Sequence, residues 1–204
     1  MIAVGGAAIT LPDIQHVFVL MLENRSFDHL LGSSALTGTD AETGQPTKLN
    51  SLTGAESNLY REKSYAVSNT AGGPMNVDPG HEFPDVVEQL AGPGVTFPQS
   101  GPYPLINGSG YVASFMRTVG EKAHANPAEI MSSFDPSQLP VLTVLAGEFA
   151  VCDSWFSSMP GPTLPNRFFL LAGSSGGLDH SPSNAEMLEE LAVEGFPIRN
   201  GTIF

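Results

Sequence analysis

Residues 16–22 read HVFVLML and residues 23–29 continue ENRSFDH, so an apolar run gives way at once to charge and hydrogen-bonding groups. Continuous Val- and Leu-rich runs without polar alternation predict a strand buried on both faces of a parallel sheet. Pro12 and Asp13 punctuate its start. A second short run of this kind, FAVC at 149–152, is followed by DSWFSSMPGPTLPNR. Strands of this type alternating with helices indicate an α/β layered fold. In such sheets ligands gather beyond the carboxyl ends of the strands. The two polar clusters each follow a predicted strand and are therefore expected to meet at one sheet edge.

Between and beyond these strands the pattern is mixed. Residues 32–79 are dominated by Ser, Thr, Gly, Asn and Asp and read as irregular loop with one short strand near 65–67. Phe83, Val86, Val87 and Leu90 set a helical period over 82–90, and Val112, Phe115, Met116 and Val119 do so over 111–123. Ser137 is placed to cap a helix over SQLPVLTVLAGE, with Pro140 in its first turn. Thr163 is expected as the N-cap of a helix with Pro165 in the first turn and Gly173 as its stop. A further helix is expected over 186–193. No repeat or dividing linker is evident, so the 204 residues read as one domain.

Charge excludes one class of partner. Asp and Glu number 21 against 8 Lys and Arg, a net charge of −13, whereas a nucleic-acid footprint needs clustered basic residues. The single cysteine, Cys152, can form no internal disulfide and no cysteine-based zinc site. It follows an apolar run and reads as core packing. The first basic residue is Arg25, so the start lacks the basic region of a secretory signal. No apolar run approaches the ~20 residues of a membrane helix. No export signal or membrane anchor is therefore visible, and location stays open.

The residues with chemistry sit in three places. Glu23 and Asn24 are adjacent oxygen donors, suited to a hard divalent cation, if the strand has ended there; otherwise they are turn residues. Ser26 or Asp28 can cap a helix over 27–31. Thr163, at a helix start, places a hydroxyl among unpaired N–H groups, where phosphoryl oxygens also bind; it either caps the helix or reacts. Asp78 and His81, in DPGH, form either a capping turn or a carboxylate–imidazole pair for ligation or proton transfer. His29 is ambiguous, and His16, His124 and His180 read as surface or loop residues.

Taken together, HVFVLMLENRSFDHLLG, DPGHEF and FAVCDSWFSSMPGPTLPNRFFLLAGSSGG resemble the bacterial phosphoesterase family of phospholipases C and acid phosphatases. The resemblance is dense in the first and third segments and absent across 33–75. It implies an alkaline-phosphatase-like three-layer α/β/α sandwich and a hydrolase acting on phosphate esters. It further implies a divalent cation bound by Glu23, Asn24 and Thr163, with Thr163 as nucleophile and His81 assisting at the phosphoryl group. Asp78, Asn166 and Arg167 are supporting residues, and the substrate is a phospholipid or a small phosphomonoester. The ion is open among Ca²⁺, Mg²⁺, Mn²⁺ and Zn²⁺, and relatives in that family are often exported.

That family completes its metal site with acidic residues and histidines from a downstream half, which nothing after Gly177 supplies. Residues 1–204 are therefore expected to be the N-terminal portion of a single phosphoesterase domain whose C-terminal half is absent. An incomplete sheet, an exposed apolar face and a half-built site should follow. A different class remains beside the enzyme: an acidic, non-catalytic cation-binding module, or an inactive fragment of such an enzyme.

Overall fold

The computed structural model describes residues 3–4, 7–8, 15–23, 25–75, 77–120 and 125–187. Six short strands form three separate two-stranded antiparallel ribbons: β1 (Ala3–Val4) with β2 (Ala7–Ala8), β3 (Thr37–Thr39) with β4 (Pro46–Lys48), and β5 (Ser57–Tyr60) with β6 (Lys63–Ala66). Five α-helices accompany them among the described elements: α1 (Phe27–Leu31), α2 (Phe83–Ala91), α3 (Tyr111–Val119), α4 (Pro140–Glu148) and α5 (Thr163–Ala172). Two 3₁₀ turns, Glu129–Met131 and Pro136–Gln138, precede α4.

This mixture of helices and small sheets is consistent with an α/β fold. The expected three-layer sandwich is not confirmed: no parallel sheet joins the ribbons among the described residues. The predicted strands at 16–22 and 149–152 also require correction, since both lie outside any β-ladder. Phe18 is 93% exposed and Phe149 71% exposed. An all-apolar strand is stable only between paired neighbours and under helices on both faces, and the described residues offer these runs neither.

The core lies elsewhere, where α2 and α3 pack. Val87 of α2 and Val112, Phe115 and Val119 of α3 are buried, with Met131 and Ala71 completing the buried apolar set. The helical periods read from the sequence put these residues on facing sides. Gly110 lets α3 start against the Glu88 carbonyl, where no Cβ would fit. On the outer side Arg117 donates to Asp85 Oδ1 (2.7 Å) and Glu88 Oε2 (2.6 Å), clamping the same helices. Asn58, 3% exposed, pins β5 to both neighbours: its Nδ2 donates to the Gly108 carbonyl (2.8 Å) and its Oδ1 accepts from Val112 N–H (3.2 Å).

The polar stretch 32–79 is more ordered than expected, since it holds two hairpins. In the first, Asp40 Oδ1 accepts from the Thr43 amide (2.6 Å) and hydroxyl (2.7 Å), and Gly44 takes a positive φ of 70°. An Asp side chain bonding the backbone a few residues on is a turn former in its own right. In the second, Arg61 and Glu62 both adopt positive φ, 46° and 64°, the backbone of a two-residue primed turn. Residues 68–71 then run beside 131–133, with Ser133 N–H donating to the Ser68 carbonyl (2.8 Å) and Ala71 N–H to the Ser133 carbonyl (3.1 Å).

The helices at 82–90 and 111–123 appear as α2 and α3, though residues 121–124, including His124, lie outside the described residues. Ser137 does not cap α4; it sits in the preceding 3₁₀ turn, whose cap is Asp135. Of the helix expected over 186–193, residues 184–187 are helical and 188–193 lie outside the described residues.

Candidate active site

Helix α5 organises the site. Pro162 precedes it and Pro165 lies in its first turn, both fully buried, while Thr163 between them is exposed. The expected N-cap is thereby corrected by one position: Pro162 is the cap and Thr163 the first helical residue. The chemistry is little altered, because Thr163 and Leu164 precede the first intrahelical bond and their N–H groups face outward from the helix end. Proline offers no N–H, so these two amides are the donors of that first turn. Gly173 closes the helix in the left-handed conformation, φ 72°, as expected.

Asn166 fixes the approach to Thr163. Its Oδ1 accepts from Met159 N–H (3.1 Å), and its Nδ2 faces the carbonyls of Met159 (3.2 Å), Gly161 (3.3 Å) and Pro162 (3.1 Å). One side chain thus holds residues 159–162 against the helix they lead into. The sequence made Asn166 a supporting residue by resemblance and did not reveal this clasp. The signal for it was an amide side chain just inside a helix entered through a Pro-Gly-Pro turn, whose carbonyls need donors.

Two contacts bring the separated motifs to α5. Arg167 Nη2 donates to Glu23 Oε2 (2.8 Å), and its Nε to the same oxygen (3.2 Å). Arg167 is one helical turn beyond Thr163, so the two side chains are neighbours on one helix face. Glu23 therefore reaches the face that carries Thr163, across 144 residues of sequence. The second contact concerns Gly161, where a Cβ would lie 2.7 Å from Met159 Cε and 3.9 Å from Phe83 Cα. The loop before Thr163 thus lies against the first residue of α2, two positions after His81.

The DPGH segment is held by packing of its own. A Cβ at Gly80 would come within 2.6 Å of Asp85 and Thr118, and Gln89 Nε2 donates to the Gly80 carbonyl (2.6 Å). His81 Nδ1 stands 3.7 Å from Asp78 Oδ2 and 3.2 Å from the Pro79 carbonyl, and both side chains are largely exposed. Glu82 caps α2 reciprocally with Asp85, and its Oε2 also accepts from Ser181 N–H (3.0 Å). Asn24 lies outside the described residues.

The other residues of ENRSFDH serve the fold. Ser26 Oγ accepts from His29 N–H (3.2 Å) and caps α1. His29 packs edge-on against Phe134 at 4.8 Å, and burial followed by the Arg25 charge lowers its pKa. Burial, then the charge of Glu56, raises the pKa of Asp28, and burial likewise raises that of Tyr111. Cys152, expected in a core, is exposed.

Carboxylate and hydroxyl oxygens suit a hard divalent cation. The Glu23 carboxylate already receives a positive group, the Arg167 guanidinium. Among the described residues no group of three or more His, Cys, Asp or Glu could hold a metal ion. The oxygen donors of Glu23 and Thr163 fit such an ion in kind.

The start of α5 thus carries an exposed hydroxyl and two amides that precede the first intrahelical bond, one helical turn from the Arg167–Glu23 ion pair. The chain belongs to the phosphoesterase family, whose model matches residues 14–201. It is 36% identical over 192 residues to non-specific phospholipase C6 of Arabidopsis thaliana and 37% identical over 196 residues to non-specific phospholipase C1 of that plant. Each match covers 94% of this chain and 32% of the plant protein. A non-hemolytic phospholipase C of Burkholderia pseudomallei is 29% identical over 169 residues, covering 82% of this chain and 21% of that protein. The chain spans about a third of the length of the plant relatives it matches. The family expected from the three motifs is thus the family found, and its relatives extend from bacteria to plants.

Proposed function

We propose that the protein hydrolyses phosphate esters by double displacement, with Thr163 as nucleophile and a phospholipid as the substrate class its relatives' names suggest. The observation that carries this reading is the Glu23–Arg167 ion pair, 2.8 Å, which draws the end of the first motif onto the helix face of Thr163. Glu23, Asn24 and Thr163 would hold the divalent cation, which when bound neutralises phosphoryl charge and lowers the pKa of a nearby hydroxyl. The free amides of Thr163 and Leu164 receive the phosphoryl oxygens at the positive end of α5. Arg167, one turn on, adds a guanidinium suited to phosphate.

Thr163 Oγ passes its proton to solvent water and bonds to phosphorus as the ester P–O bond breaks. His81, at the adjoining loop, supplies the proton to the departing alcohol. Water then attacks the phosphothreonine, releasing phosphate or a phosphomonoester and restoring the hydroxyl. Asp78 steadies His81, and Asn166 holds the turn that presents Thr163.

Residues 1–204 form, in this reading, the N-terminal portion of one phosphoesterase domain, and further ligands come from the portion its relatives possess beyond the matched third. The test is cation-dependent turnover of a chromogenic phosphate ester by the full-length gene product. Thr163→Ala should lower kcat by about 10³-fold or more, since the covalent route disappears. Undiminished turnover by Thr163→Ala overturns the mechanism. Cation-dependent stability with no turnover at all would favour the acidic cation-binding module instead.

A further inference from the structure

Residues 92–110, GPGVTFPQSGPYPLINGSG, contain no Asp, Glu, Lys, Arg or His in a chain of net charge −13. Both ends of this loop are tied down. Asn107 and Gly108 N–H donate to the Leu90 carbonyl (2.9 and 2.8 Å), Gly110 N–H donates to the Gln89 carbonyl (3.2 Å), and Asn58 holds the Gly108 carbonyl. Between these anchors Leu105 is 81% exposed and Ile106 69% exposed. Tyr103 stacks on Phe97 at 4.9 Å, and Phe97 packs edge-on against Phe83 at 5.5 Å. Phe83 is the residue that the Gly161 turn lies against, two positions before Thr163. The aromatic stack thus runs from beside the candidate site outward to an apolar, uncharged tip.

These side chains differ in kind from the exposed run at 17–22. That run is uniformly apolar, the pattern of a sheet interior. The loop carries Pro98, Pro102 and Pro104, which lack the N–H groups a sheet ladder requires. Its rings are supported by one another, and its aliphatic tip faces solvent without a ladder to join.

We propose that residues 97–106 are the surface by which the protein docks on a zwitterionic lipid bilayer, placing the N-terminus of α5 at the lipid–water boundary. This rests on the phospholipid reading above and names the partner of that site. Tyr and Phe rings with Leu and Ile beyond them match the headgroup region, where an aromatic body and an apolar tip are both accommodated. A loop without charge inserts with no ion to desolvate. The acidic chain is repelled by anionic lipid, so a neutral surface is the favoured one.

The experiment is sedimentation with phosphatidylcholine vesicles, comparing the wild-type chain with Leu105→Ser/Ile106→Ser and with Leu20→Ser/Leu22→Ser. Leu105 and Ile106 are surface residues, and circular dichroism should show the fold unchanged. The loop variant should bind at least about tenfold more weakly, from the apolar area it no longer buries. The 20/22 variant should bind as wild type, and adding phosphatidylserine at low salt should weaken binding. Unchanged binding by the loop variant, equal losses in both variants, or tighter binding to anionic vesicles would overturn the proposal. So would a loop variant that loses only self-association, because the face would then serve a second copy of this chain. Turnover of a soluble ester by the full-length product separates the two readings: it should survive the loop changes and fail in Thr163→Ala, whose vesicle binding should be unaltered.

Discussion

The α2–α3 region and the apolar segments at 16–22 and 149–156 have opposite fates. In the first, Val87, Val112, Phe115 and Val119 are buried, and the polar groups around them are matched: Asn58 with Gly108 and Val112, Gln89 with Gly80 and Ser114. In the second, Val17, Phe18, Val19, Leu20 and Leu22 stand in solvent, as do Phe149, Trp155 and Phe156. The difference is in the source of the partner. Helices at a period of 3.6 find their partner in the next helix along the chain, whereas a strand apolar on both faces needs a sheet assembled from distant segments. The candidate site lies between these two regimes: α5 and its Asn166 clasp are complete, and the Glu23 end is held by one ion pair.

Several substitutions would break or sharpen this contrast. The largest expected effect is at Phe115, 1% exposed, where Phe115→Ala should cost about 3–5 kcal/mol in urea unfolding. Phe18→Ala, by contrast, should stay within about 0.5 kcal/mol in the same measurement. A comparable loss at Phe18 would mean that the run is packed in solution and would break the contrast. Next is Asn58→Ala, which leaves the buried Val112 amide without its acceptor and should cost about 1–3 kcal/mol. Asn166→Ala removes the acceptor of the Met159 amide and the donor to three carbonyls, so that amide should exchange with solvent about tenfold faster or more. An unchanged rate would show that Pro162 and Pro165 hold the turn by themselves.

The smallest effects concern pH. Glu186 is held down to about 2 by the Ser183 hydroxyl and amide and then by His180, and Glu56 to about 2 by the Thr53 amide and hydroxyl. A depressed carboxylate contributes stability that is present above its unfolded pKa and is lost as pH falls toward the folded value. The turns at 53–56 and 183–186 should therefore persist near pH 4 and loosen between about 4 and 2. For His180 the sign is opposite: Asp179, then Glu186, raise its pKa. Its contribution is full below the unfolded pKa and fades as pH rises through the elevated folded one. Side-chain NMR titration reads all three, and a Glu186 midpoint near 4.5 would contradict the Ser183 contacts.

Much of this was legible in the sequence where one residue type dictates one local geometry. The period at 83, 86, 87 and 90 located α2, the Pro165–Gly173 punctuation located α5, and Ser26, one of the two caps read for α1, is its cap. The hairpins in 32–79 escaped for a physical reason. All three residues of each of β3 and β4 are exposed, so no apolar alternation marks them, and the β5–β6 turn uses Arg61 and Glu62 at positive φ where Gly or Asn would have announced it. The residue types proposed for the site, Glu23 and Thr163 with Arg167 in support, were legible because their motifs are distinctive. The Glu23–Arg167 contact was not, because no local pattern encodes a pairing between residues 144 positions apart.

The central claim is that the Glu23 carboxylate and the Thr163 hydroxyl serve one cation at the start of α5. Crystals of the full-length product soaked in Mn²⁺ and measured for anomalous scattering test it most directly. A peak is expected within about 2.6 Å of both side-chain oxygens, with Arg167 moved off Glu23. A peak that touches Glu23 while Thr163 stays out of reach, or a cation seated elsewhere with the Glu23–Arg167 pair intact, would contradict it.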